Sequence, residues 1–357
     1  MKIWKKILAA GVAAMMLLSM TACSDTTWVF DYNGTKIPSG LYIAYTMNAY
    51  ASVSSQEGYD SSKDIMKQTI EGKSSKEWIE EQAKSYCGQF IAVQNKFDEL
   101  GLELTEDDQA SIDNTVSSYW PMIGATYEEN GVSQSTYRMI IENGTKKNKI
   151  FDKYYDAKSG IEPVSDESLE VQFKENYALV NSISITLKTG SDLSDEDKAE
   201  NEKRKTMAEE YVKEINEGKA TFGEIEDRSM HEIAGTEHAP ADKDDVISKD
   251  EDERSYVRKD STSPSEKVVK AIFELQAGGD AKLIADDGAY YIVKRYDVTE
   301  DGKNFEEMRN TVLHNLKDSA FSDLIKEWAD ALNPGVNSAA VRKYNPKNVD
   351  LNAGSAS

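Results

Sequence analysis

The chain has 357 residues, and its 64 acidic residues against 42 basic ones give a formal net charge of −22. A polyanion gains no counterion-release energy on nucleic acid unless its cations collect on one face, and the basic residues here are interleaved with acids. The composition therefore argues against nucleic acid as a partner. The two cysteines cannot build a disulfide framework or a thiolate zinc site. The length predicts two or three domains.

A basic start followed by a short apolar run predicts that residues 1–22 are an export signal. Three lysines lie within the first six residues, and the apolar run 7–20 is short for a membrane span. The end of the signal and the next residue read MTAC at 20–23, which resembles the bacterial lipobox and implies cleavage before Cys23 and a diacylglycerol on its thiol. An ordinary secretory signal that happens to precede a cysteine is the alternative.

Cys87 is then the only free thiol of the mature chain. It lies at helical spacing from Ile79, Ala83 and Phe90, so we expect it to be buried as a packing residue rather than exposed as a reactive one.

The N-terminal half is predicted to be helical after a short hairpin at 28–37, which carries an Asn33-Gly34 turn. Residues 55–75 are rich in Ser, Gly, Lys and Asp and indicate a mobile loop or a helix-loop excursion. Helices are expected at 41–54, at 76–100, after the capping box 105–108, and after the cap at 133–136 through Tyr154.

The second half mixes strands with helices. The helical pattern breaks at 160–163, and a new helix is expected from Ser165 to Tyr177. Strands are predicted at 180–187, 282–285 and 290–294, the last two across the turn 287–288. Further helices are predicted around 207–215 and at 222–230, 266–275 and 305–332, and 242–253 is expected to be a solvated acidic loop. This order is an α+β plan.

These elements predict the following division of the chain. The predicted segments are the signal at 1–22, a helical domain at 23–160, a connecting helix at 161–178, a sheet domain at 179–299, a C-terminal helix at 300–334 that packs on the helical domain, and a flexible tail at 335–357.

Four segments resemble the PrsA/SurA family of extracytoplasmic foldases, in which a parvulin-type peptidyl-prolyl isomerase domain is set into a helical chaperone domain. The segments are 33–38 (NGTKIP), 100–107 (LGLELTED), 163–177 with PVSDESL and FKENY, and 269–294 with VKAIFEL and GAYYIVK. They cover most of the mature chain in the family's order. The resemblance implies a mainly helical SurA-N-like domain plus a small parvulin-like domain, an antiparallel sheet with flanking helices.

The positions that carry the parvulin chemistry differ in this sequence. The resemblance places the two strand histidines of the family at Ser184 and Tyr291, its methionine at Pro264 and its proline-stacking phenylalanine at Val268, while Phe273 matches a core position. The Gly-rich active-site loop is replaced by the acidic stretch 242–253. We therefore expect a parvulin-like fold without isomerase activity, with Pro264, Val268 and Phe273 as the candidate substrate-binding residues.

Three functions follow as hypotheses. The first is a chaperone, lipid-anchored at Cys23 on the outer face of the bacterial cell membrane, that holds unfolded or partly folded exported polypeptides without a cofactor. The second is an active prolyl isomerase with a remodelled pocket. The third is a solute-binding lipoprotein, which would show strand-helix alternation over two α/β lobes.

Two other residue groups carry functional hypotheses. His231-Glu232 and Glu237-His238 lack the spacing that places two imidazoles on one helix face, so we expect loop residues and no metal site. Tyrosine side chains have an apolar ring and a polar hydroxyl, so they can either pack the helical domain or line a groove that binds unfolded segments. Those of the helical domain are Tyr42, Tyr45, Tyr50, Tyr119, Tyr127, Tyr137, Tyr154 and Tyr155.

Overall fold

The computed structural model describes residues 27–235, 254–300 and 303–351. The chain forms two compact units, one from residues up to Pro163 and from Lys317 onward, the other from Val164 to Leu316. The second unit is thus an insertion into the sequence of the first.

Helices dominate the first unit. They are α1 (Ser39–Ser52), α2 (Ser75–Glu99), α3 (Glu106–Glu129), α4 (Gln134–Tyr155) and a short α10 (Ser338–Lys343), together with the part of α9 (Lys303–Asp330) from Lys317 onward. Side-chain caps start four of them: the Ser74, Thr105 and Ser133 hydroxyls accept the N–H groups of the first turns of α2, α3 and α4, and Asn337 does so for α10.

The N-terminal hairpin and the C-terminal segment form one small sheet in the first unit. Strand β1 (Trp28–Tyr32) pairs with β2 (Thr35–Pro38) on one side and with β9 (Gly335–Val336) on the other, all antiparallel. The Asn337 side chain donates to the Trp28 carbonyl at 2.9 Å, and Ala340 of α10 is buried in the same core as Val29. The chain therefore closes this unit with its last described residues.

The structure differs from the predicted flexible tail at 335–357, since residues 335–351 are folded into the first unit. Asn130 and Asp350 exchange two hydrogen bonds, of 2.8 and 3.0 Å, between side-chain amide and backbone. The segment 55–75, predicted as a mobile loop or a helix-loop excursion, is also folded. It carries the short ribbon β3 (Thr69–Ile70) and β4 (Lys73–Ser74), and the buried Gln68 side chain bonds the backbone of Asp60 and Lys63.

The second unit is a four-stranded antiparallel sheet in the order β6-β5-β8-β7. Its strands are β5 (Tyr177–Thr186), β6 (Ser255–Arg258), β7 (Lys282–Ala285) and β8 (Ala289–Tyr296). Its helices are α5 (Asp166–Asn176), α6 (Asp195–Asn216), α7 (Phe222–Ala234), α8 (Glu266–Glu274) and the part of α9 up to Leu316.

The two faces of this sheet have separate cores, because successive side chains of a strand point to opposite faces. Ile183, Ile185 and Ile292 pack with Ala208 and Tyr211 of α6 and with Phe222 and Ile225 of α7. Ala178, Val180 and Val293 pack with Val268 and Ile272 of α8 on the other face. The α+β fold class is confirmed: a mainly helical unit is joined to a small antiparallel sheet with flanking helices.

Candidate functional site

The face of the sheet beside α8 is the candidate site of the second unit, because it holds the positions that the family resemblance singles out. In the register of β5 and β8, Ser184 lies directly opposite Tyr291. Such cross-strand neighbours have Cβ atoms about 5 Å apart. The structure therefore brings together the two positions at which the family has its histidines.

Ser184 and Tyr291 differ in their surroundings. Ser184 is exposed, whereas Tyr291 is half-buried against the cluster that contains Val268 and Ile284. Ser182 and Thr186 are also exposed and lie on the same face of β5 as Ser184. This part of the sheet thus presents a row of hydroxyl groups next to a phenol ring.

The three candidate substrate-binding residues lie at different depths around α8. Val268 is fully buried in the core under the helix, so its side chain is not accessible to a ligand. Pro264 is exposed and precedes Ser265, whose hydroxyl accepts the N–H of Val268 and caps the helix. The structure therefore does not place Val268 and Pro264 side by side in an open pocket.

Phe273 lies at the other end of α8 and is held by Arg295. The Arg295 guanidinium stacks 5.3 Å from the Phe273 ring centroid, and it donates to the carbonyls of Phe273 and Leu275 at 2.7 and 3.0 Å. Arg295 is four residues along β8 from Tyr291, which corresponds to about 13 Å. Phe273 anchors the end of the helix, in keeping with the core position expected for it.

Sequence reasoning missed an ion pair at the edge of this face. Asp286 follows β7 and lies two positions beyond Ile284, on the same side of the sheet as Tyr291. Its carboxylate is 18% exposed and lies 3.7 Å from the ammonium group of Lys267 on α8. Asp286 belongs to an Asp-Asp-Gly turn sequence, a signal that predicts a hairpin turn and gives no indication of a site.

The described groups on this face can hydrogen-bond to an extended peptide but contain no imidazole. Hydroxyl groups of Ser184 and Tyr291 can donate to a carbonyl or accept an amide N–H. General acid-base chemistry at neutral pH is typical of histidine, whose pKa lies near the working pH. The arrangement can therefore offer hydrogen bonds to a peptide backbone.

The histidine and cysteine hypotheses have the following outcomes. Helix α7 extends beyond its predicted end at Met230, so His231 and Glu232 lie on a helix and not in the predicted loop. Cys87 is completely buried, as expected, and burial raises the pKa of its thiol. Within the described part of the chain, no group of three or more His, Cys, Asp or Glu side chains is placed to hold a metal ion.

Several predicted features lie outside the described residues. They are the signal at 1–22, the lipidation site Cys23, Glu237 and His238, and the acidic stretch 242–253. No helix within residues 27–235, 254–300 and 303–351 is long and apolar enough to cross a membrane.

The tyrosines of the first unit divide into packing residues and surface residues. Tyr42, Tyr154 and Tyr155 are buried, and the last two pack with Phe321 of α9 at ring-centroid distances of 6.1 Å. Tyr45, Tyr50, Tyr127 and Tyr137 are half-buried. Tyr119 is 53% exposed on α3, so packing does not account for all of them.

An exposed apolar surface lies around Tyr119. Met122, one turn further along α3, is 78% exposed, and such i, i+3 neighbours share one face of a helix. The half-buried Trp120 lies next to them and contacts Tyr127 edge-to-face and Tyr137 at a tilt, at centroid distances of 6.1 and 5.8 Å. A shallow hollow runs along the same helix and is lined by seven residues between Asp107 and Tyr119. All of them belong to α3, so within the described chain no second element closes the hollow.

Comparison with known proteins gives the following result. No family model matches the chain, and no curated protein matches it in sequence. Among solved structures it is similar to the foldase protein PrsA from Streptococcus pneumoniae, with 20% identity, 77% of this chain and 96% of that chain covered, and a TM-score of 0.39. For the foldase protein PrsA from Lactococcus lactis the identity is 14%, the coverage 91% and 100%, and the TM-score 0.35. For PrsA from Bacillus subtilis the identity is 13%, the coverage is 74% of this chain and 90% of that chain, and the TM-score is 0.33. These structures bear the name of the family that the sequence resembles.

Proposed function

We propose that this protein is an extracytoplasmic chaperone that holds unfolded or partly folded exported polypeptides and does not catalyse prolyl isomerisation. The observation that carries the proposal is the exposed apolar surface at Tyr119 and Met122 of the helical unit. Large exposed apolar side chains that lie side by side are typical of interaction sites. The family resemblance of the sequence supports the same function.

The absence of catalysis is argued from the second unit. The barrier to rotation of an X-Pro amide is about 20 kcal/mol, and a pocket that lowers it must desolvate the amide and favour its twisted form. At this sheet Ser184 is exposed, and Val268, at the position of the proline-stacking ring, is buried. Neither arrangement cradles a proline ring, so we expect no acceleration of the rotation.

The test combines two measurements on the chain without its signal. We expect it to suppress aggregation of a chemically denatured client protein at stoichiometric amounts and to leave the isomerisation rate of Phe-Pro and Ala-Pro peptides unchanged. Absence of suppression would contradict the chaperone. Clear peptide turnover that Tyr291→Ala abolishes would instead establish the second candidate, an isomerase with a remodelled pocket.

That second candidate is favoured by one observation. The hydroxyl row of β5, the Tyr291 phenol and the Asp286–Lys267 pair lie on one face of the sheet. Together they could orient a peptide on the sheet. The solute-binding hypothesis would instead require a thermal shift on addition of small solutes.

Anchoring at Cys23 belongs to the same proposal. Two acyl chains hold a protein stably on a membrane, whereas one gives only marginal binding. We expect the mature chain to begin at Cys23, to carry the mass of a diacylglycerol and to sediment with membranes. Cys23→Ala should release it, and a Cys87→Ala chain is the matched control that stays bound.

A further inference from the structure

Helix α3 has an unusual charge composition. Its 24 residues contain six acidic side chains and no lysine or arginine. Two of the six are paired across to α4: Asp108 lies 2.7 Å from Lys149, and Asp113 lies 2.9 Å from Arg138. In the part of the chain that the structure describes, the other four, Glu106, Asp107, Glu128 and Glu129, have no ion-pair partner.

The position of the last two acids is unfavourable for the helix itself. Glu128 and Glu129 occupy the last turn of α3, where the partial negative charge of the helix end repels carboxylates. Glu106 and Asp107 lie in the first turn, where the helix dipole favours them. Helix stability therefore explains the acids at the beginning of α3 but not those at its end.

Two of the unpaired acids, Asp107 and Glu129, lie on the same face of the helix as the exposed apolar residues, and this face is called here the α3 surface. It consists of Asp107, Tyr119, Met122 and Glu129 together with the small polar residues between Ala110 and Ser118, and the exposed Glu128 adjoins it on the neighbouring side of the last turn. Tyr119 and Met122 lie within seven to ten residues of Glu129, which is about 10 to 15 Å along a helix. An extended segment of three to five residues spans that distance.

We propose that the α3 surface is a client-binding site that selects unfolded segments combining apolar side chains with lysine or arginine. This inference rests on the proposed chaperone function and names the client class. Tyr119 and Met122 would contact the apolar side chains of the segment, since methionine adapts its shape to irregular partners. Glu128 and Glu129 would attract the cationic side chains.

Charge disfavours two other occupants of this surface. A second copy of the chain would place one α3 surface against another, and acidic residues would then face acidic residues without a cation between them. A membrane with anionic lipids repels a helix that carries no basic residue. A cationic polypeptide segment is the partner that complements both features of the surface.

The experiment measures the anisotropy of two fluorescent unstructured peptides with the chain expressed from residue 24. The peptides share their leucines and phenylalanines, but one carries four lysines and the other four glutamates. We expect the lysine peptide to bind at least about tenfold more tightly at low salt, a ratio that corresponds to about 1.4 kcal/mol. The preference should decrease at 0.5 M salt, because the carboxylates of the α3 surface are exposed.

Two variants separate the apolar from the charged contribution. The double variant Y119S/M122Q should weaken binding of both peptides about tenfold, whereas E128Q/E129Q should weaken only the lysine peptide, by about threefold to tenfold. All four side chains are on the surface, so the variants are expected to keep the far-UV spectrum and the melting temperature. The control V171S/M230Q replaces two apolar side chains of similar exposure, 50% and 60%, in the second unit and should change neither affinity.

The outcomes distinguish failure of this inference from failure of the chaperone function. Equal affinity for the two peptides, or unchanged binding by both α3 variants, overturns the inference while suppression of client aggregation would still support the chaperone. Self-association that Y119S/M122Q abolishes overturns it in favour of a second copy. If the unmodified chain neither binds peptides nor suppresses aggregation, both the function and the site are wrong.

Discussion

Gly124 shows how one residue shapes the surface of α3. The ring of Trp120 lies against the helix at this glycine, and a Cβ atom there would lie 2.8 Å from two ring atoms. The same ring contacts Tyr127 edge-to-face and Tyr137 at a tilt. The small residue therefore leaves room for the Trp120 ring against α3, and Tyr119 and Met122 remain exposed beside it.

Gly124→Ala is expected to destabilise the protein by about 1 to 3 kcal/mol, because the added methyl group displaces the Trp120 ring from its packed position. Gly144→Ala in α4 is the matched control, since nothing lies within 4 Å of its Cβ position. That control should stabilise the protein by about 0.5 to 1 kcal/mol through the higher helix propensity of alanine. Urea unfolding measures both, and a Gly124→Ala chain as stable as the control would refute the close contact.

The start of α3 depends on a group that titrates. Asp108 accepts a hydrogen bond from Lys149 of α4 and one from the backbone N–H of Thr105, and these contacts lower the pKa of its carboxyl to about 2. The Thr105 hydroxyl in turn accepts the Asp108 N–H, which completes a capping box. One carboxylate thus both caps α3 and ties it to α4.

Asp108→Asn should destabilise the protein at pH 7 by about 1 kcal/mol. This is less than the free energy that corresponds to the full pKa shift, because water reaches the carboxylate and screens its contacts. The folded pKa is below the unfolded one, so this contribution is complete above about pH 4 and is lost as the pH falls from about 4 toward 2. The stabilities of the two chains, measured by urea unfolding, should therefore converge at low pH. A difference that persists unchanged at pH 2 would contradict the assigned role of the charge.

The C-terminal segment shows where prediction of elements from sequence fails. The hairpin at 28–38 and the capped helices α2, α3 and α4 could be predicted, because Asn-Gly turns, capping boxes and apolar periodicity are local signals. The two-residue strand β9 could not, since its pairing with β1 joins residues about 300 positions apart. At the site, the family resemblance singled out Ser184 and Tyr291, but their position opposite each other, the burial of Val268 and the Asp286–Lys267 pair depend on packing between elements.

A chain that ends at Pro334 should lose about 2 to 4 kcal/mol of stability, because it lacks β9, the Asn337 hydrogen bonds to β1 and the buried Ala340. A chain that ends at Leu351 keeps all of these contacts and serves as the control. Urea unfolding followed by circular dichroism compares the two. Equal stability would mean that residues 335–351 do not contribute to the first unit and that the predicted tail was right.

For the molecule as a whole, the main electrostatic property is the excess of acidic residues. Many described ion pairs are exposed and join neighbouring turns of one helix, as between Lys174 and Glu170 and between Lys326 and Asp330. Exposed pairs of this kind contribute only about 0 to 1 kcal/mol each. The net charge of −22 means that many carboxylates have no cation to pair with. Mutual repulsion of these surface carboxylates opposes the compact state at neutral pH.

The sign of the salt effect follows from this repulsion. Raising NaCl from 0.02 to 0.3 M shortens the screening length from about 20 Å to about 6 Å and should raise the melting temperature at pH 7 by about 2 to 4 °C. The control is the same series of NaCl concentrations near the isoelectric point of about 4.7. The net charge is close to zero there, so the rise in melting temperature should disappear. Calorimetry of the chain expressed from residue 24 measures both series. A melting temperature that falls with salt at pH 7 would show that attraction between opposite charges outweighs the repulsion.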